Sequence, residues 1–267
     1  MAYLEIDNLR KEFPRRGEAP LKVLDGLNVS VEEGALLSIL GPSGCGKSTM
    51  LNIINGLDDA TSGRIVLNGR QVSTKAKSDV NVSVVFQQPR LLNWKSVSEN
   101  VRIPLLERGV GKKEAAERVE RYLELVGLEE FGGYYPLQLS GGMQQRVSLA
   151  RGLAIEPDLL LADEPFSALD EITARKLRQE FVRVWAKTGR TILFVTHNIR
   201  EAVFLSSRML VITARPATTY LELDIDVPQP RTPEDDRLFA LEKSVTADFM
   251  RMEEEAESRR QEQEAAA

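Results

Sequence analysis

Four short runs of apolar residues in this chain lack the polar alternation of a half-exposed strand, a pattern typical of buried strands in a parallel sheet. The runs are Ala35–Leu40, Val82–Phe86, Leu159–Ala162 and Thr191–Val195. Each run leads directly into a polar segment. Because ligands of open α/β sheets bind beyond the carboxyl ends of the strands, we expect the four polar segments to converge at one edge of a sheet.

Apolar residues at helical spacing predict two amphipathic helices. One covers Lys112–Val126 and ends before Gly127, and the other covers Glu171–Lys187 and ends before Gly189. The stretch at about residues 96–156 has a mostly helical pattern and interrupts the alternation of strands and polar segments. We therefore predict an inserted helical subdomain there.

The N-terminal segments Tyr3–Phe13 and Leu21–Val31 have the pattern of two antiparallel strands joined by a turn that contains proline and glycine. Together with the buried runs and the helical stretch, they predict an α/β fold. Its parts are a parallel-sheet core, an antiparallel β subdomain and an inserted α-helical subdomain.

The C-terminal residues differ in composition from the rest of the chain. We expect one domain over residues 1–231 and an extension over 232–267. A helix is predicted to begin near Thr232, with a proline in its first turn and Asp235 able to complete a cap. From Glu253 onward almost every residue is charged or polar until an alanine-rich end, so we expect a frayed tail.

Composition excludes several classes of protein. The chain of 267 residues has no apolar run of 18 residues, and its first residues lack the basic start and apolar core of a secretory signal. We therefore expect a cytoplasmic protein that does not span a membrane. The single Cys45 excludes internal disulfides and cysteine-built zinc sites. A net charge of −5 argues against broad affinity for nucleic acid, so no such partner is predicted.

The segment GPSGCGKST, residues 41–49, satisfies G-x-x-x-x-G-K-[ST] and lies between a predicted strand and a helix predicted over Ser48–Asn55. Glycines let backbone N–H groups turn inward around phosphate oxygens, and the helix N-terminus adds partial positive charge. Lys47 would reach the β- and γ-phosphates, and Ser48 would bind Mg²⁺. Cys45 is either a redox-sensitive thiol or simply a small loop residue. The predicted nucleotide-binding residues are Gly41, Pro42, Ser43, Gly44, Cys45, Gly46, Lys47, Ser48 and Thr49.

The segment LLLADEP delivers two adjacent carboxylates, Asp163 and Glu164, to the end of a predicted buried strand. Such a pair can divide two tasks. Asp163 would hold Mg²⁺ through its water shell, and Glu164 would polarise the attacking water. His197, the only histidine of the chain, follows another apolar run and therefore lies at a further strand end.

The segment LSGGMQQR, residues 139–146, precedes the carboxylate pair. Ser140, Gly141 and Gly142 can form the cap and first turn of a helix over Met143–Leu153, which would offer backbone N–H groups and a favourable dipole to an anion. With the phosphate loop upstream, this segment resembles the signature of the ATPase subunit of ABC transporters. The resemblance covers nearly the whole chain, and Met143 departs from the commonest form, LSGGQ.

This resemblance implies a P-loop NTPase (RecA-like) core that hydrolyses ATP with Mg²⁺. It implies that Lys47 and Glu164 act in catalysis as described above, and that His197 contacts the γ-phosphate and helps to orient the water. Gln87 matches the glutamine that touches Mg²⁺ and water in the family, with the adjacent Gln88 as the alternative. Phe13 is the candidate for stacking on adenine, and a core phenylalanine is the alternative.

The resemblance also implies a second ATPase subunit, because the family signature closes over ATP held by the phosphate loop of another subunit. The partner is expected to be a second copy of this chain in a head-to-tail dimer, with Ser140, Gly141 and Gly142 acting across the interface. The segment Ser167-Ala168-Leu169-Asp170 matches the loop that bridges the two sites, and Asp170 is its candidate functional member.

The segments Phe86–Leu105 and Thr196–Pro216 look like those of nitrate, sulfonate and taurine importer ATPases. The apolar loop Pro89–Lys95 suits a groove that receives a short permease helix, and packing inside the helical subdomain is the alternative for Trp94. The resemblance implies an integral membrane permease and, indirectly, a solute-binding protein. It places the chain peripherally at the cytoplasmic face of the inner membrane. An ATPase for efflux or lipid handling, and then a soluble ABC ATPase, are the alternatives.

Overall fold

The computed structural model of the protein describes residues 2–72, 81–167 and 169–265. In chain order the strands are β1 (Ala2–Phe13), β2 (Leu21–Glu32), β3 (Leu36–Leu40), β4 (Ser62–Leu67), β5 (Arg70–Gln71), β6 (Val82–Val85), β7 (Leu159–Asp163), β8 (Thr191–Thr196), β9 (Arg208–Ile212) and β10 (Thr219–Asp224). The helices are α1 (Lys47–Ile54), α2 (Val97–Glu107), α3 (Lys112–Leu125), α4 (Gly141–Ala154), α5 (Glu171–Thr188), α6 (Ile199–Leu205) and α7 (Asp236–Ala265).

The chain divides into two compact units, one formed by residues 1–80 with 193–267 and the other by residues 81–192. The first unit contains an antiparallel sheet in the strand order β2-β1-β4-β5. Strands β1 and β2 pair antiparallel, as their sequence pattern predicts. Leu4, Ile6 and Leu9 of β1 are buried, so this sheet has a core of its own.

A second group of strands in the first unit carries the motifs predicted to bind nucleotide. Strands β10, β9, β3 and β8 are neighbours in that order, and β3 runs parallel to β9. All five residues of β3 are buried, as expected for a strand that is covered on both faces. Helix α6 packs against β3. The carboxyl ends of β3 and β8 therefore lead into the phosphate loop and into His197.

The second unit contains the parallel pair β6 and β7 and most of the helices. Helices α2, α3 and α4 contact one another, and short 3₁₀ turns at Glu129–Phe131 and Pro136–Gln138 connect α3 to α4. Helix α2 begins with a capping box, in which Ser96 accepts the Glu99 N–H and the Glu99 carboxylate accepts the Ser96 N–H. The predicted helical stretch is therefore present within this unit.

The two amphipathic helices form close to their predicted bounds. Helix α3 buries Ala115, Val119, Tyr122 and Leu123, the face that the spacing predicts. Helix α5 is followed by Gly189 as its C-cap, and the φ of 60° at this residue lies in the left-handed region that favours glycine after a helix.

The C-terminal helix begins at Asp236, not near Thr232. Residues 232–235 form a turn in which the Asp235 N–H donates to the Thr232 carbonyl. Asp235 takes the capping place, because its carbonyl accepts the Phe239 N–H and its carboxylate accepts the Arg237 N–H. The helix continues past Glu253 to Ala265. Its buried side chains Leu238, Val245 and Met252 recur every seven residues along one stripe.

A buried arginine fixes the segment that leads into this helix. The Arg231 guanidinium is buried and donates to carbonyls at the end of α6 and after β10, namely those of Val203, Phe204, Ser206, Ile225 and Val227. Burial lowers the pKa of Arg231 to about 10, so this side chain stays charged at neutral pH. Its position was not evident from sequence, because all of its partners are backbone atoms.

Among the described residues, no helix combines the length and the apolar composition that crossing a lipid bilayer requires.

Candidate active site

The loop between β3 and α1 contains the predicted phosphate-binding residues 41–49. Gly44 and Gly46 have φ of +74° and +124°, a backbone region that other residues rarely adopt. A Cβ atom at Gly46 would lie 2.8 Å from Val23 Cγ1 and 2.9 Å from Leu24 Cδ2. Both the backbone conformation and the available space therefore require glycine at Gly46, directly before the N-terminus of α1.

Lys47 lies across this loop. Its side chain is buried, and its Nζ donates to the carbonyls of Gly41 at 2.8 Å and Pro42 at 2.9 Å. These hydrogen bonds offset the cost of removing an ammonium group from water. Cys45 is also buried, and a Cβ at Gly41 would lie 3.1 Å from its sulfur. A bulky group attached to this thiol would therefore displace the loop.

Arg215 supports the loop from outside and was not singled out in the sequence. It lies beyond the end of β9, and its Nη2 donates to the Gly44 carbonyl at 2.7 Å. In a trans peptide the carbonyl and the next N–H point in opposite directions. The contact therefore holds the Gly44–Cys45 peptide plane in a defined orientation. The signal that could have revealed Arg215 is its position just past a strand that neighbours β3.

His197 follows the last residue of β8, in the same unit as the phosphate loop. The carbonyl of Thr196 accepts the Gly41 N–H at 3.3 Å, which ties this strand end to the first residue of the loop. The His197 side chain is exposed. The histidine and the loop are thus neighbours, as the predicted contact with the γ-phosphate requires.

Phe13 ends β1 and lies in the first unit as well. Its side chain is 38% exposed, so the alternative of a core phenylalanine is wrong. The Nζ of Lys11 lies 4.8 Å from the centroid of the Phe13 ring. The predicted stacking on adenine remains a prediction.

In the second unit, the register of β6 and β7 brings the glutamine and carboxylate motifs together. Val85 pairs with Ala162, so the segment that contains Gln87 leaves the sheet at the same edge as Asp163 and Glu164. Gln87 and the adjacent Gln88 both follow this strand end, so the choice of Gln87 remains a prediction. Asp163 is the last residue of β7, and Glu164 has a φ of +45°. A non-glycine residue in the left-handed region is strained, and such strain is concentrated at functional sites.

The turn after Glu164 is held by Ser167, whose N–H and hydroxyl donate to the Glu164 carbonyl at 3.2 Å and 2.9 Å. Asp170 follows as the N-cap of α5 and accepts the Thr173 N–H at 3.0 Å. This backbone hydrogen bond lowers the pKa of Asp170. The predicted bridging loop also contains Ala168 and Leu169. Of these two, Ala168 lies outside the described residues.

Two side chains of α4 hold the segment that contains Gln87. Gln145 Nε2 donates to the Phe86 carbonyl at 3.1 Å. Arg151 donates to the Pro89 carbonyl at 2.7 Å and to the Arg90 carbonyl at 2.8 Å, and burial lowers its pKa. The glutamine segment is therefore bound to the same helix that begins with the signature. Neither contact was evident from the local sequence.

The signature forms the start of α4, as predicted. Ser140 is the N-cap, and its side chain accepts the Met143 N–H at 3.3 Å. Ser140 and Gly141 are exposed, whereas Gly142 is buried. A Cβ at Gly142 would lie 2.7 Å from Thr173 Cγ2, which leaves no room for a larger residue. The exposed helix start is thus available to an anion from another molecule.

The apolar loop Pro89–Lys95 is held by a buried asparagine. Asn100 accepts the Leu92 N–H at 2.7 Å and donates to the carbonyls of Leu92, Lys95 and Ser96. Trp94 is 73% exposed, so the alternative that it packs inside the helical subdomain is wrong. Tyr134, whose carbonyl accepts the Val97 N–H, is also exposed. The loop thus presents aromatic surface from a fixed backbone.

A glycine-rich loop between a buried strand and a helix, a lysine lying over it and carboxylates at another strand end define a P-loop nucleotide triphosphatase. A family model described as ABC transporter matches residues 24–167. The chain belongs to the ATP-binding proteins of ABC transporters.

Similar proteins cover most of the chain. A taurine import ATP-binding protein of Rhizobium johnstonii is 43% identical over 84% of this chain and 84% of its own length. An aliphatic sulfonates import ATP-binding protein of Bacillus cereus is 36% identical over 93% of this chain and 96% of its own length. A nitrate import ATP-binding protein of Synechococcus elongatus is 39% identical over 93% of this chain and 91% of its own length. The predicted resemblance to this group is confirmed.

The fold is similar to that of a solved dimer of an ATP-binding cassette in a post-hydrolysis state, bound to ADP and Pi. The TM-score is 0.73 and the identity 33%, over 84% of this chain and all of that one. The predicted fold class, a P-loop NTPase core with an antiparallel β subdomain and an inserted helical subdomain, is confirmed.

Proposed function

We propose that this chain hydrolyses ATP to power the import of a small solute through a membrane permease of the nitrate, sulfonate and taurine type. The proposal rests on the presence of three features of an ATP-binding cassette in one chain. A formed phosphate loop and a strand-end Glu164 occur together with an exposed signature helix start. That chain is similar over most of its length to ATP-binding proteins named for import of these solutes.

In the proposed reaction, water attacks the γ-phosphorus of ATP, and the bond to the β–γ bridging oxygen breaks to release ADP and phosphate. Lys47 exchanges its carbonyl partners in the loop for phosphate oxygens. Glu164 accepts a hydrogen bond from the attacking water and polarises it, and His197 orients that water beside the γ-phosphate. The strained backbone of Glu164 and its hydrogen bonds from Ser167 support a fixed position of the carboxylate.

Ser48, Gln87 and Asp163 are the residues proposed to hold Mg²⁺. They supply hydroxyl, amide and carboxylate oxygens, and these are the donors that this hard cation takes. When bound, the ion neutralises charge on the β- and γ-phosphates.

A second copy of the chain is proposed to complete each site. Ser140 and Gly142 of one copy would face ATP held by the phosphate loop of the other, since the helix start that they form is suited to an anion. Gly141 and Asp170 are assigned to the same interface. The likeness to a dimeric cassette bound to ADP and Pi supports this arrangement.

The aromatic surface around Trp94 is proposed as the place where the permease docks, at the cytoplasmic face of the inner membrane. We infer that a solute-binding protein delivers solute to that permease, and we assign no nucleic acid partner. The Trp94 loop adjoins Gln87 in sequence, and Arg151 binds the backbone between them. Movement of the docked permease would therefore displace both the segment that contains Gln87 and helix α4, which begins with the signature.

We expect Trp94→Ala to reduce binding of the permease by about tenfold or more, because an aromatic side chain that anchors an interface contributes about 2 kcal/mol or more. The measurement is the amount of permease that co-purifies with the tagged chain from solubilised membranes. Leu57→Ala is the matched control, since Leu57 is 67% exposed in the other unit. An unchanged permease yield with Trp94→Ala would contradict the docking surface.

The proposed function is tested by uptake in the source cells. Cells whose gene encodes Glu164→Gln should lose uptake of radiolabelled taurine, an alkanesulfonate or nitrate. Cells with Glu253→Gln, an exposed position on α7, should keep it. Unchanged uptake of all three solutes in the Glu164→Gln cells would overturn import of this solute class.

A further inference from the structure

A closed set of hydrogen bonds surrounds the backbone of His197. The Thr196 hydroxyl donates to Glu201 Oε2 at 2.7 Å and accepts the Asn198 N–H at 3.0 Å. The Asn198 side chain accepts the Glu201 N–H at 3.2 Å. Thr196 and Glu201 are 1% and 3% exposed. The set therefore links the end of β8 to the first turn of α6, with His197 between them.

The direction of these bonds fixes the role of the carboxylate. A hydroxyl has one proton, and here that proton goes to Glu201, which leaves an oxygen lone pair for the Asn198 N–H. Without Glu201 the hydroxyl could rotate and lose this alignment. The carboxylate is not needed to cap α6, because the Asn198 side chain already does so. A buried carboxylate is costly unless it is hydrogen-bonded, and the Thr196 hydroxyl is one of its partners.

The peptide planes on both sides of His197 are therefore held by hydrogen bonds. The preceding carbonyl, that of Thr196, accepts the Gly41 N–H of the phosphate loop at 3.3 Å. The following N–H, that of Asn198, is bound by the Thr196 hydroxyl. With both peptide planes fixed, the backbone dihedrals of His197 have little freedom. The side chain itself remains exposed, directed by a backbone that is tied to the loop.

We propose that Thr196 and Glu201 are positioning residues for His197, and that they hold its imidazole in the orientation required by ATP hydrolysis. The inference rests on the proposed role of His197 at the γ-phosphate. Thr196 and Glu201 act through the backbone of the histidine. They therefore contribute to the rate of the chemical step and only slightly to the affinity for ATP.

The test compares matched pairs of variants in the full-length protein. Thr196→Val keeps the shape of the side chain and removes the hydroxyl, whereas Thr196→Ser keeps the hydroxyl. Loss of a positioning contact is expected to lower kcat about tenfold in Thr196→Val, with the Kd for ATP changed less than about twofold. Thr196→Ser should retain at least about half of the wild-type kcat. Glu201→Ala and Glu201→Gln form a second pair, because the glutamine oxygen can still accept the hydroxyl proton.

A double-mutant cycle with His197→Ala separates positioning from general damage. If Thr196 acts through His197, adding Thr196→Val to His197→Ala should lower kcat less than about twofold further. Multiplication of the two single effects would overturn the positioning role, as would a wild-type kcat in both Thr196→Val and Glu201→Ala. A wild-type kcat in His197→Ala alone would instead refute the proposed role of the histidine, and the inference with it.

Discussion

Glu164→Gln is expected to lower ATP turnover by about two to three orders of magnitude while leaving ATP binding intact. An amide has the size of the carboxylate but is a much weaker acceptor for the proton of the attacking water. The proposed contacts of Lys47 and the loop glycines with phosphate would be unchanged. The measurements are steady-state phosphate release and the Kd for ATP, with Glu253→Gln as the control.

The same variant should accumulate as a dimer with bound ATP, because in the proposed mechanism ATP binding closes the dimer and hydrolysis reopens it. Sedimentation of purified Glu164→Gln with and without ATP would show this directly. Turnover within about twofold of wild type would refute the assignment of Glu164 as the group that activates water.

Gly142→Ala is expected to reduce ATP-dependent dimerisation about tenfold or more in the Glu164→Gln background, while each monomer still binds ATP. The added Cβ would lie 2.7 Å from Thr173 Cγ2. That methyl belongs to a β-branched side chain with restricted χ1, so it cannot easily move aside. The start of α4 must therefore shift, and with it the N–H groups that are proposed to face the other subunit.

Relief of the same clash gives the control for this prediction. Thr173→Ser removes the methyl group, so Gly142→Ala with Thr173→Ser should regain much of the dimer. Gly133→Ala serves as a neutral substitution, because a Cβ there would meet no atom within 4 Å. A full dimer yield from Gly142→Ala alone would contradict a role for this contact in closure.

The helices and strands of this fold were largely predictable because their patterns are local. The buried runs gave β3, β6, β7 and β8 within one residue at each end, and the amphipathic spacing gave α3 and α5. The start of α7 was misplaced, because residues 232–235 satisfy the cap pattern but form a turn before the helix. A capping pattern alone does not decide between neighbouring starting positions.

The motifs of the candidate site were predictable from the sequence, but the side chains that hold these motifs in place were not. Strand ends and glycine spacing identify the phosphate loop, Asp163 and Glu164. Arg151 and Asn100 instead bind backbone atoms of other segments, and Glu201 accepts the hydroxyl proton of Thr196 at the end of β8. No local pattern specifies these contacts. Tertiary hydrogen bonds of this kind depend on how elements are packed, and they became visible only in the folded chain.

The proposal that this ATPase works on a membrane permease can be tested by purification of the chain from its native membranes in mild detergent. Quantitative mass spectrometry then measures what accompanies it. We expect a polytopic membrane protein in an amount proportionate to the chain, with ATPase activity in the purified complex, if the proposal is correct. Purification with a soluble protein, with nucleic acid or with no partner would contradict it.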